Sequence, residues 1–229
     1  FIEPAVAGRV RRERHAKHGI IPLDKTSRSC YTVSRMKRFA DIVLTLAAAP
    51  LWAGVAAVVA VAVRFAMGRP VLFRQMRIGW RQKPFEMVKF RTMRQGTEPD
   101  AERITPLGRF LRKSSLDELP ELWLVLKGDM SLVGPRPLPV RYLPRYTPAQ
   151  LARHDVRPGI TGWAQINGRN LLSWEDKFAM DLWYVANRSP WLDIKILAKT
   201  FWTVVAGRGV SARGEATMGE FKGETNNDS

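Results

Sequence analysis

Two adjacent carboxylic acids, Asp117 and Glu118, are the residues of this sequence best suited to chemistry. Pro120 follows them, and because proline is accommodated only near a helix start, we expect both acids in or just before a first helical turn. There the helix dipole and the free N–H groups favour negative charge. Neighbouring carboxylates in a basic setting suit Mg²⁺, which also binds phosphate oxygens, and an ionised aspartate can attack phosphorus. The alternative is structural, with Asp117 or Ser115 capping the helix and Glu118 completing a capping box.

A second segment, residues 127–137, is rich in turn-forming residues and carries Arg136 between two prolines. Gly134 allows another backbone to approach closely, and the prolines stiffen the segment. The arginine side chain is a planar fork of N–H donors that matches a phosphate group. The segment therefore predicts a phosphate contact at Arg136, against the simpler alternative of a rigid turn with a solvated arginine.

An uncharged run from Ile42 to Val63 is the segment that indicates where in the cell the protein acts. Its 22 residues are enough for a helix to cross a hydrocarbon layer of ~30 Å. Basic residues flank both ends, so the positive-inside rule is satisfied only if both ends stay on the cytoplasmic side. Pro50 lies nine residues into the run, where it breaks or kinks a helix, and this favours a hairpin that enters and leaves on one side. The alternative is an ordinary kinked transmembrane helix.

The formal net charge of +16 at first favours a nucleic-acid partner, because clustered Lys and Arg neutralise phosphates. The distribution of the charge argues against such a partner. Residues 1–38 carry ten basic and three acidic side chains, and residues 64–94 carry nine and one, so the charge brackets the apolar run. The single cysteine, Cys30, excludes an internal disulfide framework and favours a reducing compartment. We therefore expect a membrane-associated protein on the cytoplasmic side, with no nucleic-acid partner.

The rest of the chain has the pattern of a mixed α/β domain that is mainly helical. Short strands are expected at 71–73 and 85–90, on either side of an Arg- and Gly-containing turn. Helices are expected at 107–111, 116–126, 147–154, 174–185 and 191–205, with loops at 95–105 and 157–170. Thr147 and Ser173 are the expected N-caps of two of these helices. The tail from residue 207 is polar and is expected to be loose.

Several ordered motifs between Met36 and Gly223 resemble those of the bacterial sugar transferases, the monotopic polyprenyl-phosphate phosphoglycosyl transferases of exopolysaccharide type. The motifs are Lys37-Arg38 with Asp41, Pro70 to Gln75, Lys89 to Met93, Arg112, Asp117 to Pro120, Lys127 to Pro137, Arg157 to Gln165 and Gly168 to Asn170. One departure concerns the membrane segment, because the family often has serine before the membrane proline where this chain has Ala49. A serine hydroxyl could bond backbone carbonyls freed at the break.

The resemblance implies a specific activity, the transfer of a sugar 1-phosphate from a UDP-sugar to polyprenyl (undecaprenyl) phosphate, with Mg²⁺ as cofactor and UMP as product. By that analogy Asp117 attacks the β-phosphorus and forms a covalent phosphosugar intermediate, while Glu118 binds metal or helps deprotonate the acceptor. Both acids are the implied metal ligands. Arg112 and Arg136 are implied to hold phosphate groups, and Arg169 to lie near the nucleotide. The reaction would initiate polysaccharide or glycoconjugate synthesis.

The resemblance also implies an architecture, a small cytoplasmic catalytic domain with an N-terminal re-entrant helix–break–helix at Pro50 and interfacial amphipathic helices. The expected divisions are a basic extension at 1–35, a membrane hairpin at 36–66, a catalytic domain at 67–206 and a tail at 207–229. The implied location is the cytoplasmic face of the bacterial inner membrane, whose lipids are then partners. Because the first residue is Phe1 and not Met, we expect a fragment or a processed form, and whether native sequence is missing before Phe1 stays open.

Other properties stay open at the level of sequence. A basic membrane-surface adaptor without chemistry would explain the charge and the apolar run, although it gives no reason for Asp117 and Glu118 beside two phosphate-suited arginines. The exopolysaccharide type of the resemblance leans toward glucose or galactose over an N-acetylhexosamine as the sugar. The length of the polyprenol, the role of residues 1–35 and the oligomeric state, including a homo-oligomer, are left open.

Overall fold

The uncharged run belongs to two successive helices in the computed structural model, which describes residues 27–168, 172–205, 220–221 and 223. Helix α1 spans Ser27–Ala47 and helix α2 spans Ala49–Met67, with Ala48 between them. Pro50 lies in the first turn of α2, where the N–H that proline lacks has no helical partner to lose. The chain is therefore divided into two helices near Pro50, and the division lies two residues before the proline.

Side chains bond the backbone groups around this break. The indole N–H of Trp52 donates to the carbonyl oxygen of Thr45 at 3.0 Å, and the Thr45 hydroxyl donates to the carbonyl of Asp41 at 2.7 Å. The backbone N–H groups of Leu51 and Trp52 both donate to the carbonyl of Ala48. Trp52 thus provides a side-chain donor at the break, where the residue before Pro50 is alanine and has no hydroxyl to offer.

The chain divides into two compact units, residues 1–36 and residues 37–229. The part of α1 that belongs to the second unit, from Lys37 onward, is fixed by three polar side chains. Lys37 Nζ lies 2.6 Å from Asp193 Oδ2, Arg38 donates to the carbonyl oxygens of Val125 and Leu126, and buried Asp41 accepts from the Ser131 hydroxyl at 2.8 Å and the Leu132 N–H.

The far end of the helix pair packs on the same unit through apolar contacts. Val59 and Val63 of α2 are buried in a cluster with Phe90 and Leu111. Around the break, Leu44, Leu46 and Leu51 are exposed instead of packed, and further along α2 Val58 and Val61 are exposed as well. Helix α2 has the length and apolar composition needed to cross a membrane. Both ends of the uncharged run are therefore attached to one body, while its middle is not.

An antiparallel hairpin follows, formed by β1 (Leu72–Ile78) and β2 (Pro84–Phe90) in the register Leu72 to Phe90 and Ile78 to Pro84. Strand β1 is longer than the expected 71–73, because polar residues extend its ladder beyond the apolar stretch. Arg74 is exposed and pairs with Glu86 at 2.7 Å, while Arg77 is partly buried on the opposite face. The turn contains a short 3₁₀ segment at Trp80–Gln82.

The remaining elements are short and mainly helical. They are α3 (Asp100–Arg103), α4 (Pro106–Ser114), a 3₁₀ turn (Leu116–Glu118), α5 (Glu121–Lys127), β3 (Ser131–Val133), a 3₁₀ segment (Val140–Arg145), α6 (Pro148–Leu151), a 3₁₀ turn (Ala152–Asp155), β4 (Gly159–Thr161), α7 (Trp163–Ile166), α8 (Trp174–Asn187) and α9 (Pro190–Val205). Strands β3 and β4 form a two-stranded parallel pair. The mixed, mainly helical class is confirmed.

Several expected boundaries were wrong, for identifiable reasons. The single helix expected at 116–126 is split before α5, because Pro120 cannot donate an N–H inside a helix. The helix expected at 147–154 becomes a 3₁₀ turn after Leu151, although its Thr147 cap is confirmed as a capping box with Gln150. The loops expected at 95–105 and 157–170 contain α3 and the β4–α7 pair. Strands and helices of three or four residues are too short to produce a periodic pattern.

The tail is only partly described, and one described residue corrects the expectation that it is loose. Phe221 is 4% exposed and joins an aromatic core with Tyr142, Tyr146 and Phe178. The N-cap expected at Ser173 is confirmed, because its hydroxyl accepts from the backbone N–H of Asp176. The helix that it caps, α8, provides one wall of this core.

Candidate active site

A sharp turn brings the two acids to one place. Helix α4 ends at Ser114, and Ser115 then adopts a left-handed conformation with φ 58°. The chain continues directly into the 3₁₀ turn, where the Glu118 N–H donates to the Ser115 carbonyl at 3.2 Å. Neither this turn nor α5 has a side-chain cap. The capping alternative for Ser115, Asp117 and Glu118 is therefore wrong, and these acids are available for another role.

Glu118 is held by two cations from distant parts of the chain. Its Oε1 lies 2.5 Å from Lys89 Nζ on β2 and 2.9 Å from Arg136 Nη2. Burial alone would disfavour its charge, but Lys89 and Arg136 together hold the pKa of the Glu118 carboxyl well below its usual range. Glu118 is therefore a permanently ionised carboxylate at neutral pH.

Asp117 has the opposite electrostatic character. It is 8% exposed, and its carboxyl forms no side-chain hydrogen bond with another described residue. Burial raises the pKa of its carboxyl to about 6, against the lowering effects of Lys89, Arg136 and Arg112. Two adjacent acids with pKa values moved in opposite directions are typical of sites that need distinct roles from them.

Glu121 and Lys89 complete the charged cluster, and neither was predicted as a site residue from the sequence. Glu121 is 2% exposed, and its Oε1 lies 3.1 Å from Lys89 Nζ without the geometry of a hydrogen bond. Burial raises the pKa of the Glu121 carboxyl to about 7. Two signals were present: Lys89 is a lone cation within an apolar strand, and Glu121 lies three residues after Glu118.

Arg136 is presented by a segment with unusually close backbone packing. The Gly134 N–H donates to the Thr161 carbonyl at 2.9 Å and the Gly159 N–H donates to the Pro135 carbonyl at 3.0 Å. A Cβ added at Gly159 would lie 2.0 Å from the Gly134 nitrogen, a distance no side chain tolerates. The expected close backbone approach at Gly134 is confirmed, and it fixes the base from which Arg136 reaches Glu118.

A buried ion pair supports the same segment from the other side. Arg153, 3% exposed, pairs with Asp181 of α8 at 2.6 Å and donates to the carbonyl oxygen of Arg136 at 2.8 Å. Its third partner is the Tyr146 hydroxyl, at 3.2 Å. Nothing in the local sequence pattern marked Arg153 or Asp181, because their pairing joins residues 28 positions apart.

The other expected phosphate ligand, Arg112, lies on α4 and donates through Nε to the Thr92 hydroxyl at 3.0 Å. It is near enough to Asp117 to lower the pKa of that carboxyl. The structure thus brings together Asp117, Glu118, Arg136 and Arg112. Arg169, the expected nucleotide contact, lies outside the described residues, and Pro50 belongs to the helix break described above.

This arrangement is chemically suited to reactions of phosphate esters. A buried carboxylate can act as a nucleophile, an adjacent ionised carboxylate can bind a cation or accept a proton, and arginines can neutralise phosphate charge. The family model of bacterial sugar transferases matches residues 32–207, a range that contains each of these groups.

Individual relatives agree with the family match. An uncharacterized sugar transferase of Bacillus subtilis (strain 168) is 53% identical over 167 residues, which cover 70% of this chain and 83% of that protein. The UDP-glucose:undecaprenyl-phosphate glucose-1-phosphate transferase of Escherichia coli (strain K12) is 42% identical over 206 residues, 82% of this chain. The UDP-N-acetylgalactosamine-undecaprenyl-phosphate N-acetylgalactosaminephosphotransferase of Aeromonas hydrophila is 37% identical over 188 residues, 76% of this chain.

The matched stretches cover only 43% and 44% of the Escherichia coli and Aeromonas hydrophila proteins. The chain therefore spans less than half the length of those two transferases, although it spans most of the Bacillus subtilis protein. Together, the family match over most of the chain and the assembled acids and arginines lead to one conclusion: the chain belongs to the bacterial sugar transferase family.

Proposed function

We propose that this chain is a phosphoglycosyl transferase that moves a sugar 1-phosphate from a UDP-sugar to undecaprenyl phosphate or a similar polyprenyl phosphate. The observation that carries the proposal is the acid pair, in which buried Asp117 lies beside Glu118, itself held by Lys89 and Arg136. The names of the Escherichia coli and Aeromonas hydrophila relatives support the reaction type. The product would begin the synthesis of a polysaccharide or glycoconjugate.

The proposed mechanism has two displacements at one phosphorus atom. A carboxylate oxygen of Asp117 attacks the β-phosphorus of the UDP-sugar, the bond between that phosphorus and the bridging oxygen breaks, and UMP leaves with the bonding electron pair. A phosphate oxygen of the polyprenyl phosphate then attacks the same phosphorus and displaces Asp117 as a free carboxylate. Arg136 and Arg112 offset negative charge during both steps, and Glu118 accepts a proton if the acceptor phosphate still carries one.

Mg²⁺ is the proposed cofactor, with Asp117 and Glu118 as its protein ligands. The donor set fits, because Mg²⁺ ordinarily takes one or two carboxylates and completes its shell with water and substrate phosphates. Among the described residues no group of three or more His, Cys, Asp or Glu could hold a metal by itself, which is consistent with a site completed by substrate. When bound, the ion supplies neutralisation of phosphate charge.

The sugar is not fixed by the family. The Escherichia coli relative is named for glucose 1-phosphate and the Aeromonas hydrophila relative for N-acetylgalactosamine phosphate. Glucose or galactose is our proposal for this chain. Purified protein in nanodiscs with polyprenyl phosphate and Mg²⁺ should release UMP from one member of a panel of UDP-sugars. Absence of UMP with every sugar, together with binding to anionic vesicles, would favour the alternative of a basic membrane adaptor.

Arg136→Lys tests the phosphate role of the arginine. Lysine keeps the charge but loses the planar fork that contacts Glu118 and a phosphate together, so we expect UMP release to fall roughly 10- to 100-fold with the fold intact. Steady-state kinetics and circular dichroism measure the two parts of this prediction. Arg141→Lys is the matched control, because Arg141 is an exposed arginine that pairs with Glu220 and not with Glu118. Near-normal turnover by Arg136→Lys would remove Arg136 from the site.

For location, we propose that α1 and α2 form a re-entrant hairpin at the cytoplasmic face of the inner membrane. Both ends of the uncharged run attach to one body, and the residues around the break expose apolar side chains, which supports entry and exit on the same side. In a Cys30→Ser background, cysteines at Arg35 and Arg74 should therefore be labelled from the same side of sealed vesicles. A cysteine at Val58 should be protected as the control, and opposite accessibility of the two flanks would rule out the hairpin.

The same assay tests the cause of the hairpin. Pro50→Leu restores a backbone N–H at the start of α2, so part of the population should shift toward a full span. Unchanged same-side labelling in that variant would mean that the polar contacts of α1, and not the proline, set the topology.

A further inference from the structure

The described end of the chain is docked on the catalytic unit. The ring of Phe221 is 4% exposed and lies inside a cage of four aromatic side chains, which we call the aromatic cage. Its ring centroid lies 5.0 Å from Phe178, 5.5 Å from Trp174, 5.7 Å from Tyr142 and 5.8 Å from Tyr146. Two of these contacts are edge-on, the geometry that aromatic pairs prefer.

Polar contacts hold the same segment in register. Arg145 donates to the backbone carbonyl of Phe221 and also pairs with Glu220 Oε1 at 3.0 Å, while Arg141 Nε lies 3.3 Å from that oxygen. The Glu220 side chain is half exposed, so its ion pairs contribute little to stability in water. The buried ring of Phe221 is therefore the main anchor of the docked segment.

One wall of the cage leads to the acid pair through three direct contacts. The Tyr146 hydroxyl accepts from Arg153 Nη1 at 3.2 Å, and Arg153 Nη2 donates to the Arg136 carbonyl at 2.8 Å. Arg136 Nη2 then donates to Glu118 Oε1 at 2.9 Å. Arg153 is also paired with Asp181 and is nearly inaccessible to solvent, so its orientation depends on the packing around it.

We propose that Phe221 is a positioning residue for the acid pair: by filling the aromatic cage it fixes Tyr146 and Arg153, and through them the backbone of Arg136. This inference rests on the proposed function. Loss of the ring leaves space beside Tyr146 and admits water to the Arg153–Asp181 pair, where water competes for the donors that hold the Arg136 carbonyl. Arg136 then reaches Glu118 less often in the productive geometry.

Single variants in nanodiscs give the first test. Phe221→Ala should lower kcat for UMP release roughly 10- to 100-fold with a smaller change in KM, since misplacement by a fraction of an ångström is costly in catalysis. Phe221→Leu, which refills much of the cage, should recover most of the rate. The matched control is Glu220→Gln, which removes the surface ion pairs and keeps the ring. A wild-type kcat in Phe221→Ala, or an equal loss in Glu220→Gln, would overturn the proposal.

A double-mutant cycle separates positioning from general stability. If Phe221 acts through Arg136, adding Phe221→Ala to Arg136→Lys should cost less than about twofold, because the contact that it supports is already impaired. If Phe221 only stabilises the fold, the two losses multiply. Multiplicative losses would therefore overturn the proposal.

Hydrogen–deuterium exchange provides a reading that needs no turnover. Backbone amides of residues 134–146 should exchange faster in Phe221→Ala than in the wild type or in Glu220→Gln, because the segment loses its support. Unchanged exchange there would overturn the inference whatever the activity. If the wild-type chain releases no UMP from any UDP-sugar, the proposed function fails instead, and the exchange result still reports on the link between the cage and Arg136.

Discussion

Asp117→Asn is expected to abolish the release of UMP and the covalent attachment of a phosphosugar to the chain. The substitution removes the anionic oxygen with almost no change in shape, so a nucleophilic role predicts a loss of roughly 10⁴-fold or more. With UDP-sugar and Mg²⁺ but no lipid acceptor, the wild type should release at most one UMP per chain, apart from slow hydrolysis. Rapid-mixing UMP detection and intact-protein mass spectrometry measure the burst and the adduct.

Two variants serve as controls for this result. Ser115→Ala should leave the burst intact and change the free energy of unfolding by less than about 1 kcal/mol, because the Ser115 side chain does not cap the turn that follows it. Glu118→Gln should slow the reaction without moving the adduct, which peptide mapping would still assign to Asp117. An adduct on another residue, or a wild-type burst from Asp117→Asn, would contradict the mechanism. Strictly sequential kinetics with no adduct would indicate direct transfer between the two substrates.

Lys89→Met is expected to damage both stability and activity. Lys89 is the shared partner of Glu118 and Glu121, and removing it leaves a buried carboxylate cluster without its central cation. Breaking such a pair costs about 3–5 kcal/mol because the remaining charge stays buried. Thermal unfolding in nanodiscs, followed by intrinsic fluorescence, should show a clearly lower midpoint than in Lys83→Met, which removes an exposed lysine from the turn of the same hairpin.

The loss of stability in Lys89→Met is expected to depend on pH. In the wild type, Lys89 and Arg136 hold the pKa of the Glu118 carboxyl low despite its burial. The ionised carboxylate therefore contributes stability above the ordinary pKa of a glutamate, and this contribution is lost as pH falls. In Lys89→Met the buried acids are instead favoured when protonated. The deficit of the variant relative to the wild type should therefore shrink as pH falls from 7 toward 4. A deficit independent of pH would mean that Lys89 acts through packing.

Parts of the structure that depend on neighbours in sequence could be predicted. Thr147 and Ser173 cap helices by bonding an N–H three residues ahead, and the prolines at 50 and 120 act on the backbone within one turn. The acid pair and Arg136 could be singled out because motif and chemistry coincide there. Close backbone approach at Gly134 followed from the residue type alone.

The missed features depend on contacts between distant residues. Lys89 reaches Glu118 across 29 positions, so a lone cation in an apolar strand can be noticed in the sequence, but the acids with which it pairs cannot be identified there. Strands β3 and β4 have three residues each, which is too few to show the alternation of apolar and polar residues that is typical of a strand. Phe221 lies in a polar segment of the sequence, and its burial depends on aromatic residues far away in the chain.

On the proposed function, the contacts of Arg38 have a consequence for how the chain meets a lipid acceptor. Arg38 bonds the carbonyls of Val125 and Leu126, at the end of the seven-residue helix α5 that begins just after the acid pair. A helix of seven residues is about 10 Å long. Helix α5 therefore sets a short, fixed distance between its contact with α1 and the acid pair. On the proposed topology, the depth of the hairpin in the bilayer sets the height of the acids above the lipid headgroups. The acceptor then needs only lateral diffusion in the leaflet, a search in two dimensions, to bring its phosphate to a fixed level.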